Sequence, residues 1–353
     1  MKIVKTSELV PGMELTEDVY LSGKVLLLSK GTSLTYENIR WLTSLGVEQV
    51  TVKVEVEAED SGAIDIAVEP VIHPFIQTYQ KAVDSAERVL LGLVHNNKLD
   101  EYELVSTVKN LLMVVLNEPG VLKYLTWTRE QNEGIFSHLV GVSAYSILLG
   151  RWLGYDNTKL MTVGLAGILH DLGKCLIPSE ILDKPSTLTS DEFKLVQEHT
   201  TRGFHLAMQG NIHRIEILSA ILQHHERLDG SGYPGGIKGN QIEELSKLIM
   251  ITDIFDAMTS SRSYRQSRTV FDAVEEIMSE SYVEKLDPAL SLTFVRRIVD
   301  HFVGMKVELS SGAIGKVIQV DQQNPHRPVI WTEDQMVDLR DNMKISISRV
   351  LPD

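Results

Sequence analysis

The sequence has little cysteine, few aromatic residues and no long apolar run. Its 353 residues include a single cysteine, Cys175, which excludes an internal disulfide framework and fits a reducing compartment. The longest apolar runs, such as Leu111–Leu116, are far shorter than the roughly 20 residues that span a bilayer. The first residues also lack the apolar stretch of a signal peptide. We therefore expect a cytoplasmic protein that does not enter a membrane.

Positive charge is scarce as well. The formal net charge is −14, while a hydrophobic fraction of 43% describes a chain that folds. Broad affinity for nucleic acid or acidic lipid rests on clustered lysine and arginine, so this composition disfavours both as partners. Any anionic substrate must therefore be attracted by a local positive site.

The hydrophobic pattern divides the chain into three folded parts. Residues 1–60 mix period-two alternation with a helical stretch and predict a small α+β domain, and residues 61–70 form an acidic linker. Residues 71–303 have helical spacing, starting with two long helices. Residues 304–353 alternate around glycine and proline turns, which predicts a small β-barrel-like tail. The predicted fold class is mainly α, with a helical domain flanked by the two smaller ones.

Histidine is the residue that the helical domain does have. Ten of the eleven histidines fall there, and five of them are grouped with two aspartates as candidate ligands: His138, His170, His199, His224 and His225, with Asp171 and Asp253. A single buried histidine is more often a hydrogen-bonded core residue than a ligand, but this joint set of imidazoles and carboxylates suits Fe, Mn or Zn. The other six are read as structural or exposed: His73, His95, His205, His213, His301 and His326.

The aspartates have distinct predicted roles. Asp253 lies in the apolar stretch KLIMITDIFDAM, where an unpaired carboxylate would cost several kcal/mol without a cation. Asp171 follows His170 directly and is best placed to bridge two ions, which at about 3.5–4 Å apart can activate water and clamp a phosphate ester. His224 and His225 are neighbours that point about 100° apart on a helix, so they predict two ions, or one ion and a substrate, rather than a single ion. Lys174, one turn beyond Asp171, is close enough to meet a phosphate.

Several motifs in order carry a family resemblance. They are HDLGK from His170, Thr189 with Glu192, His199 with Gly203, HHERLDGSGYPGG from His224, and DIFDAMTSSRSYR from Asp253. Over roughly residues 133–301 the sequence resembles the HD-GYP family of metal-dependent phosphodiesterases. The resemblance implies an all-helical HD fold, two or three metal ions, and hydrolysis of cyclic di-GMP in bacterial second-messenger signalling.

The resemblance also implies roles for individual residues. The metal ligands would be the seven histidines and aspartates named above, with Asp171 and Lys174 at the centre of catalysis. Arg262 and Arg265 would face the substrate phosphates, Lys184 would lie at the entrance, and Tyr233 would line the glycine-rich lip. Arg202 and Arg227 are candidates for support around the site, and Asp229 is expected to brace the loop.

The number of ions depends on one position. In the branch that resembles a three-metal site, a Glu lies four residues before the histidine that matches His138. Here that position is Gly134, and Glu133 would point about 100° away in a helix. We therefore expect two divalent ions, Fe or Mn, with linear pGpG as the main product and slow or no progress to GMP.

Two other functions stay open on the sequence. An HD hydrolase could act on a different nucleotide, and a catalytically silent protein could serve as a cyclic-dinucleotide receptor or docking module. The glycine-rich loop or the terminal domains could bind protein partners, and a homodimer is compatible with the pattern. A panel of nucleotides assayed with metal-loaded protein separates these alternatives.

Overall fold

The computed structural model describes residues 2–6, 9, 13–21, 25–34, 38–39, 42, 47, 49–53, 73–118, 120–131, 134–184, 186–260 and 268–351. It divides into two compact units, Met1–Pro70 and Val71–Asp353. The predicted linker, Glu133, Arg262 and Arg265 lie outside the described residues. None of the described helices is both long and apolar enough to cross a membrane.

The first unit contains two small antiparallel sheets. Strand β1 (Lys2–Lys5) pairs with β4 (Gln49–Val52), and β2 (Val19–Leu21) pairs with β3 (Val25–Leu28). The period-two alternation predicted for the β4 region is confirmed at Val50 and Val52, which are both buried. They belong to a separate core cluster, made of Val4, Leu9, Leu15, Val19, Leu34, Leu42, Val50 and Val52.

The second unit is mainly helical. Its α-helices are α1 (Pro74–Asn96), α2 (Glu101–Asn117), α3 (Val121–Gln131), α4 (Ile135–Trp152), α5 (Asn157–Leu169), α6 (Ser179–Leu182), α7 (Ser190–Gln197), α8 (His199–Gln209), α9 (Ile215–Gln223), α10 (Glu244–Thr259), α11 (Val270–Tyr282) and α12 (Pro288–Val299). Two 3₁₀ helices cover Leu172–Leu176 and Gly239–Gln241. The two long leading helices predicted from the sequence are α1 and α2.

The helices begin where side chains satisfy free backbone amides. Asp156 caps α5 by accepting a hydrogen bond from the Lys159 amide. The predicted capping box at the start of α7 is confirmed, because Thr189 and Glu192 each accept from the other's backbone amide. Asp287 likewise caps α12, with Pro288 at the first helical position, as predicted.

Helix α4 is the centre of the core. It is buried on nearly all sides and packs against α5 and α10, so its charged residue, Arg151, lies in the last turn. The approach to α5 is close, since a Cβ at Gly167 would lie 2.5 Å from the Cα of Ser143, whose hydroxyl donates to the Gly164 carbonyl. This contact places the start of α4 near the end of α5, where His138 and His170 meet.

The C-terminal strands form one antiparallel sheet in the order β8-β7-β6-β5-β9. The strands are β5 (Lys306–Leu309), β6 (Ile314–Gln319), β7 (Val329–Thr332), β8 (Met336–Asp338) and β9 (Ile347–Leu351). Buried residues of this sheet, including Val307, Val317 and Ile330, belong to the same core cluster as the helices. The sheet and the helices therefore share one hydrophobic core.

Candidate metal centre

Four helix ends and one helix interior bring the predicted ligands together. His138 lies in the first turn of α4, and Asp253 lies within α10. The others are at helix ends: His170 and Asp171 after α5, His199 at the start of α8, and His224 and His225 after α9. Ligand atoms from all seven residues lie in overlapping groups whose members are within 4.8 Å of one another. The cluster could hold metal ions.

The carboxylate of Asp171 divides this cluster in two. Its Oδ1 is 3.1 Å from Nε2 of His199 and 3.4 Å from Nε2 of His224. Its Oδ2 is 3.5 Å from Nε2 of His170 and 3.6 Å from Nε2 of His138. Each oxygen thus faces its own pair of imidazoles, which is the geometry of a bridging ligand.

Two half-sites follow from this division. The first half-site consists of His138, His170, Asp253 and Oδ2 of Asp171. Within it, Oδ1 of Asp253 lies 3.1 Å from Nε2 of His138 and 3.7 Å from Nε2 of His170. The second half-site consists of His199, His224, His225 and Oδ1 of Asp171. Nitrogen and oxygen ligands in these numbers suit Fe, Mn or Zn.

Hydrogen bonds at Nδ1 direct Nε2 towards the centre of the cluster in four of the histidines. The Nδ1 atoms of His170 and His199 are 2.7 and 2.6 Å from the carbonyl oxygens of Gly167 and Val196. Nδ1 of His224 lies 3.0 Å from two carbonyl oxygens of its own helix, and Nδ1 of His138 lies 2.7 Å from a carboxylate oxygen of Asp256. Such partners fix the tautomer in which Nε2 can bind a cation.

Buried polar atoms at the centre lack hydrogen-bond partners. Both oxygens of Asp171 and Nε2 of His170 are buried and make no hydrogen bond within the part of the chain that the structure describes. The Lys174 ammonium forms an ion pair with Oδ2 of Asp171. Buried groups without partners are costly, and divalent cations would satisfy these three atoms together. The residues present therefore fit a metal.

Burial keeps two of the imidazoles of the second half-site neutral. Burial lowers the pKa of His224 to about 4. Burial, with the charge of His224, also holds the pKa of His225 well below its usual range. Both imidazoles are therefore unprotonated at neutral pH, which is the state that binds a cation.

The first half-site is dominated by its carboxylates. Burial alone would lower the pKa of His138, but the neighbouring carboxylates of Asp171, Asp253 and Asp256 raise it to about 10. Burial would raise the pKa of Asp171, yet the charges of Lys174 and His170 hold it well below its usual range. A cation bound here would take the place of the proton that His138 otherwise shares with the carboxylates.

Two residues that sequence reasoning missed lie directly behind His138. Asp256 is buried with Oδ2 at Nδ1 of His138, and Arg129 donates to both of its oxygens at 2.7 Å. A Cβ on Gly141 would collide with this carboxylate, so the glycine makes the room. One signal was available, because Asp256 follows Asp253 by three residues and so shares its helix face.

The glycine-rich loop is attached to the second half-site. The ring of Tyr233 lies 4.7 Å from that of His225, and its amide donates to the His225 carbonyl at 3.1 Å. Glu226, which is buried, accepts hydrogen bonds from the amides of Gly235 and Ile237 at 2.6 and 3.2 Å. Glu226 lies within the glycine-rich motif, but no role was predicted for it from the sequence. Asp229 accepts from Ser231, and so it braces the loop as expected.

The remaining predicted residues lie in varied surroundings. The Lys184 ammonium is 2.7 Å from both oxygens of Glu192, the residue of the capping box. Arg202 pairs with Glu198, and Arg227 pairs with Glu280. The structure thus joins Lys184, Arg202 and Arg227 to acidic partners, and their predicted roles stay predictions.

Comparison with known proteins identifies the family of this chain. The family model described as HD domain matches residues 116–290. A cyclic di-GMP phosphodiesterase of Pseudomonas aeruginosa, PA4108, is 34% identical over 221 residues, which are 63% of this chain and 53% of that protein. The chain belongs to the HD-GYP family. Its helical fold is the HD-domain fold, as the sequence predicts.

Other relatives of this HD-GYP protein are named for two substrates. A cyclic di-GMP phosphodiesterase of Thermotoga maritima is 39% identical over 145 residues, covering 41% of this chain and 39% of its own. The 3'3'-cGAMP-specific phosphodiesterase 1 of Vibrio cholerae is 32% identical over 167 residues, covering 47% and 38%. The chain spans about half the length, or less, of the curated relatives it matches.

A solved structure shares the fold. The HDG"Y"P protein Bd1817 of Bdellovibrio bacteriovorus aligns with a TM-score of 0.51 and 17% identity. The alignment covers 83% of this HD-GYP chain and 97% of that one. At this identity the likeness concerns the fold alone.

Proposed function

We propose that this HD-GYP protein is a metal-dependent phosphodiesterase that hydrolyses cyclic di-GMP. The observation that carries the proposal is the position of Asp171, whose two oxygens face two different sets of imidazoles. Two divalent ions on either side of one carboxylate suit the cleavage of a phosphate ester. The relatives named as cyclic di-GMP phosphodiesterases support the substrate.

The proposed ligands are the two half-sites together: His138, His170, Asp171, His199, His224, His225 and Asp253. Bound Fe or Mn ions would supply Lewis-acid polarisation of a phosphoryl oxygen and would lower the pKa of water. The chain's own residues bind and orient the substrate. We assign Lys174 to a phosphate oxygen, because its ammonium already lies beside Asp171 and is partly exposed.

Substrate contacts are proposed on both sides of the centre. Tyr233, next to His225, offers an aromatic ring to a purine base. Arg262 and Arg265 are proposed to neutralise the phosphates, since they form the local positive run in an acidic chain. Lys184 is proposed to lie at the entrance, where Glu192 holds its side chain.

Two ions, with linear pGpG as the main product, form part of the proposal. Gly134 has a φ of +108° at the start of α4, a conformation that strains any residue with a side chain. A carboxylate at this position is therefore unsuited to this chain.

A second candidate substrate is 3'3'-cGAMP. The relative of Vibrio cholerae that is named for it is 32% identical to this chain over 167 residues. Both molecules are cyclic dinucleotides with the same phosphodiester linkage to be cleaved, so the same metal centre could serve either.

The test is a substrate panel with metal counted in the same preparation. Protein purified without oxygen is loaded with Fe or Mn and given cyclic di-GMP, 3'3'-cGAMP, alarmones and nucleoside triphosphates. We expect about two ions per chain and linear pGpG from cyclic di-GMP, with slow or no GMP. Tight binding of cyclic di-GMP without cleavage would instead establish a receptor, and turnover of a different nucleotide alone would replace the substrate.

The arrangement around the helical domain is also a proposal. We propose a small α+β domain before it and, after it, a small β-sheet that packs into the helical core, supported by the paired strands at both ends of the chain and by the shared buried residues. A cytoplasmic location, a homodimer and protein partners at the glycine-rich loop or the terminal domains stay predictions.

A further inference from the structure

A buried ion pair behind His138 has no part in the proposed reaction. Three helices contribute to it: Arg129 from α3, His138 from α4 and Asp256 from α10. The Arg129 Nε atom donates to Oδ1 of Asp256 at 2.7 Å, and a terminal guanidinium nitrogen donates to Oδ2 at the same distance. Oδ2 also lies 2.7 Å from Nδ1 of His138. The three groups therefore form one chain of contacts that ends at a metal-ligand candidate.

The hydrogen-bond partner at Nδ1 of His138 differs from those of the other histidines. Nδ1 of His170, His199 and His224 meets neutral backbone carbonyl oxygens. Among the described hydrogen bonds of the seven candidate ligands, the one at Nδ1 of His138 is made to a carboxylate. A carboxylate partner fixes the tautomer, as a carbonyl does, and it also makes the opposite nitrogen a stronger donor to a cation. The first half-site thus contains an imidazole whose Nε2 atom is made a stronger donor to a cation by a carboxylate at Nδ1.

The surroundings hold this carboxylate in one place. A Cβ on Gly141 would collide with Oδ1 of Asp256, and it would lie 2.9 Å from two atoms of the Arg129 side chain. The third guanidinium nitrogen donates to the Ser137 hydroxyl at 2.6 Å, one residue before His138. Arg129 and Asp256 have opposite charges, so together they orient His138 without changing the net charge around the ions.

We propose that Asp256 is a positioning residue for the ion of the first half-site and that Arg129 holds it in that position. The proposal rests on the proposed metal-dependent function. Its consequence is an asymmetry: affinity at the first half-site depends on Asp256, whereas affinity at the second half-site does not. Asp256 acts through His138 and does not itself touch an ion.

The experiment titrates full-length, metal-free protein with Mn²⁺ alone and follows binding by electron paramagnetic resonance. Wild-type protein should bind two ions, and the second should give the spectrum of a spin-coupled pair. In Asp256→Asn we expect one of the two affinities to fall by about 10- to 100-fold, so that an isolated-ion spectrum persists at concentrations that couple the wild type. Asp321→Asn is the matched control, because it also removes a carboxylate paired with an arginine, but in the C-terminal sheet.

A purely structural role for Asp256 is separated by a double-mutant comparison. If Asp256 acts through His138, adding Asp256→Asn to His138→Ala should leave Mn²⁺ binding unchanged within about twofold. A further loss in that background would overturn the proposal, as would two unchanged affinities in Asp256→Asn. Should Asp256→Asn not fold, Arg129→Lys keeps the charge but loses the forked contact, and is expected to weaken the same ion.

The outcomes also distinguish this inference from the proposed function. Binding of fewer than two Mn²⁺ ions by the wild type would contradict the two-ion centre itself. Two ions in the wild type and two equally tight ions in Asp256→Asn would contradict the role of Asp256 alone.

Discussion

At the residue scale, the metal centre depends on what lies at the far side of each ligand. Three of the ligand histidines are held by backbone carbonyls and one by Asp256, so their Nε2 atoms are directed before any ion is present. Asp171 is different, since both of its oxygens are buried and turned to opposite half-sites. Losing this one carboxylate should therefore affect both ions.

Replacing Asp171 by asparagine tests the bridge. The amide has the same shape but no charge and a single acceptor oxygen, so it cannot serve both half-sites. We expect metal content to fall from about two ions to less than one per chain. Turnover should fall by more than the roughly 10- to 100-fold typical of losing an outer hydrogen bond. Metal analysis and product assays measure both, and far-ultraviolet circular dichroism checks the fold. Two retained ions in a folded variant would remove the bridging role.

The ligands could be predicted at this scale, but their support could not. Several of the histidines and aspartates lie in short motifs such as HDLGK and HHE, so these candidate ligands can be recognised from adjacent residues. Arg129 and Asp256 are separated by 127 positions and meet only because α3 and α10 pack on α4. A single sequence contains no mark of such a pairing. Arg262 and Arg265 stay predictions, because they lie outside the described residues.

At the element scale, the contact between a short 3₁₀ helix and α8 sets the geometry of the second half-site. The 3₁₀ helix Leu172–Leu176 packs on α8, where Gly173 and Gly203 face each other. A Cβ on Gly173 would collide with the His199 carbonyl and lie 2.7 Å from the Gly203 amide nitrogen. The close approach brings Asp171 to His199, so these glycines act on the site through packing.

Gly173→Ala should therefore destabilise the protein by about 1–3 kcal/mol, the usual cost of forcing an extra carbon into a packed region. Gly92→Ala is the control, because it lies in α1 with its nearest neighbour 3.9 Å from the added carbon. Alanine there should stabilise the helix by up to about 1 kcal/mol. Urea unfolding of both variants measures the difference. Equal stabilities would show that the 3₁₀ helix moves aside without cost.

The glycine-rich loop gives a second prediction at this scale. Both oxygens of the buried Glu226 accept loop amides, and Glu226→Gln leaves only one acceptor. A buried amide without its partner costs about 1–3 kcal/mol, so the Gly235 or Ile237 amide should exchange with solvent at least about fivefold faster. Hydrogen exchange of the loop gives the rate, with the Mn²⁺ stoichiometry as control. Unchanged exchange would mean that other contacts hold the loop.

The starts of several helices could be predicted from local sequence signals. The starts of α7 and α12 were predicted because their caps lie within four residues of the helices that they serve. The path of the loop after His225 was not, because a buried glutamate that accepts amides nine and eleven positions later leaves no periodic trace.

At the scale of the whole molecule, the C-terminal sheet is part of the helical core. Val307, Leu309, Val317 and Ile330 are all buried within the same cluster as α11 and α12, and Phe302 packs on Phe271 at 4.6 Å between ring centres. The sequence predicted the strands from alternation, but alternation shows only which face is buried and not what covers it. The first unit has its own separate core.

Truncated chains should show that the helices need the C-terminal sheet to fold but do not need the first unit. Burying one aliphatic side chain contributes about 1.5–3 kcal/mol, so the four residues named above contribute about 6–12 kcal/mol. That is comparable to the total stability of a typical domain, about 5–15 kcal/mol. A chain of residues 71–303 should therefore lack a cooperative thermal transition, whereas a chain of residues 71–353 should unfold cooperatively and still bind Mn²⁺. Calorimetry with metal titration on both chains measures this. Cooperative unfolding of residues 71–303 would show that the helices are stable without the sheet, and loss of folding in residues 71–353 would show that they require the first unit.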